Sequence, residues 1–82
     1  MKVQEIFKEV VRFAKANEGR VDIAYYLSGS QKKKTMMEQM LQKYIEDADL
    51  DFELGVLTAD EHFAEMEVAK VVENSLKNYV VY

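Results

Sequence analysis

Residues 53–61 read Glu-Leu-Gly-Val-Leu-Thr-Ala-Asp-Glu, and this stretch decides the fold. Gly55 is the residue type that takes the left-handed conformation just past a helix end. Thr58 followed by Glu61 fits a capping box, in which the hydroxyl accepts from a backbone N–H while the carboxylate reaches back to the cap. Asp60 and Glu61 also suit the positive end of a helix dipole. A stop and a start this close together join two helices as an α-hairpin.

On the upstream side, Met37, Leu41, Tyr44, Ala48 and Phe52 recur at spacings of three and four and form one stripe, widened by Met40 and Ile45. This helix is expected to begin near Thr35, where Thr-Met-Met-Glu38 fits another capping box. A start at Ser30 is the alternative. It would place Lys32, Lys33 and Lys34 in the first turns, where their charge opposes the dipole. At the far end, Leu50 and Val56 are spaced for the apolar contact that often accompanies a glycine stop. On the downstream side, Phe63, Met66, Ala69, Val72, Leu76 and Tyr79 form the stripe of a last helix. Val68, Val71 and Val80 lie outside that line and broaden its apolar face.

Leu54-Gly-Val-Leu-Thr-Ala-Asp-Glu61 resembles the helix–turn–helix pattern of SHOCT (short C-terminal) domains. There a Gly, two apolar residues, a Thr and acidic residues precede an aromatic. The resemblance covers a small part of the chain and departs at His62, with Phe63 one position late. It implies a small association element with no activity attached. A glycine stop followed by a capping box yields the same letters from local physics alone.

At the other end of the chain, Val3, Ile6, Phe7, Val10, Phe13, Ala14 and Asn17 share one face of a first helix, which Gly19 is placed to end. Residues 21–29 are ambiguous. Val21, Ile23, Tyr25 and Leu27 alternate as in a strand, yet Asp22 and Gly29 could equally bound a short helix. The helix is favoured because a lone strand would have only the terminal residues 78–82 to pair with. The expected fold is therefore all-α or nearly so. It is a single domain, 1–82, of three main helices, with the second and third forming the hairpin and a short helix or strand at 21–29. A strand there would make it α+β.

Composition narrows the function. The 82 residues include no Cys, Trp or Pro, and apolar residues at 49% with charged residues at 32% suit a globular domain. A chain this short buries only about 60–65% of its unfolded surface, so a deep enclosed active site is not expected. Without Cys there is no disulfide, thiol nucleophile or thiolate metal site. No apolar run approaches the ~20 residues of a membrane span. The start, MKVQEIFKEVVRF, carries charges where a secretory signal needs an apolar stretch. The expected location is cytoplasmic.

The residues that could carry chemistry do so poorly. His62 is the only histidine, and Ser28, Ser30 and Ser75 lack any nucleophile motif around them. Its expected place is a first-turn residue partly covering the hairpin turn. Asp47, Asp49, Asp51 and Glu53 alternate as in a calcium loop. A loop from Asp47, however, puts Phe52 and Thr58 where Gly and Glu are required. Lys32–Lys34 lack the glycines of a phosphate loop. No catalytic residue, metal or cofactor is expected, and the chain is read as a non-enzyme.

Charge is more informative. Residues 1–43 carry nine Lys or Arg and five Asp or Glu, whereas residues 44–82 carry two and ten. Between Glu46 and Glu67 there are nine carboxylates and no Lys or Arg. Such a field steers toward basic protein surfaces. Asp47, Asp49, Asp51, Glu53, Asp60 and Glu61 are thus the expected partner-binding patch of a small regulatory or interaction module. Val68, Val71, Tyr79 and Tyr82 are the expected self-association surface of a dimer, and the methionines suit either a core or an adaptable surface. An alternative function is an acidic inhibitor of the phage or mobile-element type, blocking a basic groove of a nucleic-acid-processing protein. A second alternative is weak nucleic-acid binding, with Lys32, Lys33 and Lys34 touching phosphates beside Arg20, Tyr25 and Tyr26. No membrane partner is expected.

Overall fold

The hydrophobic spacing produces four helices among the described residues, and no strand occurs there. The computed structural model describes residues 2–16 and 22–79. Helix α1 spans Val3–Ala16, α2 Ile23–Leu27, α3 Gln31–Glu53 and α4 Ala59–Lys77. The all-α expectation holds, and the ambiguous segment is helical over Ile23–Leu27. Asp22 caps α2 by accepting from the Tyr25 N–H at 3.3 Å. Ser28 (φ 49°) and Gly29 (φ 77°) then turn the chain left-handed into α3. The expected end of the first helix at Gly19, and Asn17 on its face, lie outside the described residues.

The hairpin of α3 and α4 forms the long body of the molecule. A 23-residue helix is about 35 Å long at 1.5 Å per residue, most of the 42 Å long dimension. α1 packs against both helices of the hairpin, and α2 against α3. One buried cluster joins all four: Ile6, Val10 and Ala14 from α1, Ile23 and Leu27 from α2, Met37 and Leu41 from α3, and Ala69, Val72 and Leu76 from α4. Each large apolar side chain removed from water in this way contributes about 1.5–3 kcal/mol. The predicted stripes therefore do face the core in their middles. Three stripe members do not, since Phe13, Phe52 and Phe63 remain exposed.

The start of α3 departs from the expected one. The N-cap is Ser30, whose Oγ accepts from the Lys33 N–H at 3.2 Å, and Thr35 lies inside the helix, its hydroxyl donating to the Gln31 carbonyl. Lys32, Lys33 and Lys34 thus occupy the first turns against the dipole. Two facts offset that cost. An exposed charge at the wrong helix end loses only about 0.3–1 kcal/mol, and less in salt, while a serine cap contributes about 1 kcal/mol. In addition, the Lys34 ammonium reaches the Tyr79 carbonyl at 2.6 Å, just past the end of α4, where its charge meets a negative dipole end. Ser30→Ala should accordingly destabilise the protein by about 1 kcal/mol. Thr35→Ala should lie within ~0.5 kcal/mol of the parent. Urea denaturation of the two variants distinguishes the starts, and a larger loss for Thr35→Ala would put the cap at Thr35.

Candidate functional site at the hairpin tip

The tip is built by paired backbone devices. Past the end of α3, Gly55 adopts φ 78°, its N–H donates to the Phe52 carbonyl at 3.1 Å, and the Val56 N–H donates to the Asp51 carbonyl at 2.8 Å. These two bonds are those of a Schellman motif. The start of α4 is the capping box read from the sequence. Thr58 Oγ1 accepts from the Glu61 N–H at 3.2 Å, and Glu61 Oε1 accepts from the Thr58 N–H at 3.0 Å. Hydrogen bonding to the Glu61 carboxyl, first from the Thr58 backbone N–H and then from the Thr58 side chain, holds it below its usual pKa. The apolar contact expected between Leu50 and Val56 is not a burying one, since both stay mostly exposed.

A third fastening was invisible in the sequence. The His62 ring stacks on Phe52, with centroids 4.5 Å apart and planes 15° from parallel. His62 Nε2 lies 2.7 Å from Asp49 Oδ1. An ionised carboxylate only accepts, so Nε2 carries the hydrogen and donates it. His62 stands in the first turn of α4, as expected, and its side chain, 22% exposed, packs on the last turn of α3. Its partner lies thirteen residues away in the chain, and only the register between α3 and α4 brings the two together.

The tip projects from the shared core. After Ala48 on α3 and before Ala69 on α4, no residue is fully buried. Five of the seven large apolar residues that are exposed among those described fall there: Leu50, Phe52, Leu54, Val56 and Phe63. Leu54, Val56 and Phe63 are each about two-thirds exposed (69%, 66% and 66%). Asp47, Asp49, Glu53, Asp60 and Glu61 are exposed beside them, and Asp51 is half-buried. The structure thus gathers all six predicted acidic residues at one end and adds an apolar component, in which Phe52 and Phe63 are stripe positions and Leu50 and Val56 the pair expected to meet at the turn. Three or more His, Asp or Glu side chains do not converge on a metal-sized site anywhere among the described residues.

The other candidate residues lie elsewhere. Val68 and Val71 are half-buried against the core. Tyr79 is half-buried as well, and its hydroxyl accepts from the Gly29 N–H at 2.7 Å. Intramolecular packing therefore already covers much of that face, and Tyr82 lies outside the described residues. Lys32 is exposed at the start of α3, at the opposite end of that helix from the acidic tip, whereas Lys33 is half-buried and Lys34 is engaged with Tyr79. Tyr26 packs at an angle on Phe13, and the largely exposed Tyr25 stands edge-on to Tyr26. Arg20 lies outside the described residues. No helix among the described residues is long and apolar enough to cross a membrane. Compared with protein-family models, with curated proteins and with solved structures, the chain matches none, SHOCT domains included.

Proposed function

We propose that this chain is a non-catalytic interaction module of the cytoplasm that docks its hairpin tip on a basic surface of another protein. The observation that carries the reading is the combination found at the tip. Six carboxylates stand beside five exposed apolar side chains, and no Lys or Arg lies between Glu46 and Glu67. Charge there raises encounter rates with a basic partner and sets orientation. The apolar side chains supply area whose burial favours the bound state. An exposed apolar patch rimmed by polar groups is a common mark of an interaction site.

Helix energetics support the same reading. Asp47, Asp49, Asp51 and Glu53 sit near the C-terminus of α3, the negative end of its dipole, where carboxylates are unfavourable. A position held against local preference at a projecting end is one where function and stability pull apart. The chain's only imidazole is already engaged with Asp49 and Phe52, which favours a structural use over acid–base work.

The test reverses the charge of Asp47, Asp51, Glu53 and Asp60 to Lys, leaving Asp49 for His62 and Glu61 for the capping box. Tagged parent and variant are used to capture proteins from nuclease-treated lysate of the native host. Proteins held by the parent should be released by high salt and be absent from the variant, whose helicity is unchanged by circular dichroism. Equal capture by both forms overturns the reading. Capture by the parent that occurs in untreated lysate and vanishes with nuclease would move the working surface to the start of α3. If the tip-dependent partner is a nucleic-acid enzyme, the module acts as an inhibitor of a basic groove.

A further inference from the structure

The chain carries a surface complementary to its own tip. Between α1 and α3 lies a groove of about 450 Å³ lined by Phe7, Val11 and Tyr44 and bordered by Lys8, Arg12 and Lys15. For scale, a closed cavity of ~150 Å³ holds a benzene ring. The floor is firm, because Phe7 is half-buried against the core and meets Tyr44 edge-on at 6.0 Å. The Tyr44 hydroxyl is buried with no hydrogen-bond partner among the described residues, a donor left without an acceptor.

The border is basic and accessible. Lys8, Arg12 and Lys15 are all exposed. Arg12 pairs with Glu9 at 2.6 Å and Lys15 with Glu65 at 3.3 Å, while Lys8 makes no ion pair among the described residues. Exposed pairs of this kind are weak and exchange readily for other carboxylates. An apolar floor with a cationic border calls for a ligand that is apolar at its centre and acidic around it. The hairpin tip has that composition, with Leu54 and Val56 at the turn and Asp51, Glu53 and Asp60 beside them.

We propose that the groove between α1 and α3 receives the hairpin tip of a second copy of this chain. Leu54 and Val56 enter over Phe7, Val11 and Tyr44, and the carboxylates beside them meet Lys8, Arg12 and Lys15. The proposal rests on the tip being a docking element and names one partner for it. Tip and groove are different surfaces, so the contact is heterologous. Two copies close it by each giving a tip and taking one, and otherwise it extends head to tail.

A charge swap tests this. The groove variant is K8E/R12E, which keeps Lys15 with Glu65. The tip variant is D47K/D51K/E53K/D60K. Sedimentation at several protein concentrations and low salt should show the parent associating and each variant monomeric, a loss of at least ~tenfold in affinity. Mixed together, the two variants should associate again, because the intact acidic tip of the groove variant meets the intact basic groove of the tip variant and the basic tip of the latter meets the acidic groove of the former. Salt should weaken association of the parent, since the Debye length shrinks from ~10 Å at 0.1 M. Circular dichroism shows whether each variant keeps its helices, and K8E alone, which disturbs no ion pair, should weaken association in the same direction.

A monomeric parent, a groove variant that associates like the parent, or variants that stay monomeric when mixed would each overturn the proposal. The groove variant also separates this inference from the proposed function, because its tip is intact. If self-docking fails while the groove variant and the parent capture the same tip-dependent proteins, only the choice of a second copy as partner is wrong. If the tip variant captures what the parent does, the docking role of the tip itself is wrong.

Discussion

Replacing Leu27 with Ala should destabilise the protein by about 2–5 kcal/mol, the range for truncating a fully buried leucine. At roughly 4–8 °C per kcal/mol for a domain of this size, Tm should fall by about 8–40 °C. The effect is large because of what Leu27 holds in place. α2 has only five residues and would not persist as a helix in isolation. It is helical because Ile23 and Leu27, one turn apart, both enter the common core, Leu27 with 0% exposure. Truncating Leu27 leaves a cavity against the other helices and removes the anchor of the segment that leads into α3. Total stability of a small domain is about 5–15 kcal/mol, so the loss is a large share of it. Tyr25, two positions earlier and 75% exposed, is the control. Its change to Ala should stay within ~0.5 kcal/mol. Thermal and urea unfolding followed by far-UV circular dichroism measure both. A Leu27→Ala cost near that of the control would mean that α2 is not docked.

Gly55→Val should cost about 1–3 kcal/mol, the penalty for a non-glycine residue held in the left-handed region. Nothing lies within 4 Å of where a Cβ would stand, so crowding by neighbours adds nothing and the cost is conformational. At φ 78° a β-branched side chain conflicts with its own backbone. The alternative to strain is to abandon the left-handed turn. That would free the Phe52 and Asp51 carbonyls and re-aim Leu54 and Val56. Gly55→Ala should be milder, because Ala lacks the second branch. Thermal unfolding of the parent and the two variants gives the order, and equal stability of all three would show that the turn does not require a positive φ. A tip displaced by the valine should also lose partner capture and self-association together, which the two experiments above would register.

Several of the expectations failed in one direction. Phe52 and Phe63 belong to the stripes of α3 and α4 by spacing, yet both are exposed. Helical periodicity reports which side of a helix a residue occupies, not whether another element covers that side. Here the shared core takes Met37 and Leu41 from α3 and Ala69, Val72 and Leu76 from α4, so the same stripe that is core toward the open end of the hairpin becomes surface at its tip. Phe13 shows this on a smaller scale. It lies at the edge of the α1 stripe, meets Tyr26 of α2, and stays 41% exposed. The cap falls at Ser30, the alternative start, for a different reason. Thr35 and Glu38 fit the local rule equally well, and the contact that favours three lysines in the first turns, Lys34 on the Tyr79 carbonyl, spans forty-five residues.

The chain by itself determined what depends on neighbours in sequence. The Gly55 stop and the Thr58–Glu61 box are hydrogen bonds within a few residues, so their chemistry is complete in the letters. The helical class follows from stripes at spacings of three and four, and the acidic concentration between Glu46 and Glu67 is a matter of order along the chain. Only the tertiary structure decided what depends on residues far apart. It chose helix over strand for 23–27 by burying Ile23 and Leu27 beside α1, α3 and α4. It paired His62 with Asp49 through the register of two helices, and it turned three stripe positions into exposed apolar surface by leaving them uncovered. It also placed Phe7, Val11 and Tyr44 under a basic border, a juxtaposition of α1 with α3 that no spacing encodes. Burial is a property of what surrounds a side chain, and for these residues the surroundings come from other helices.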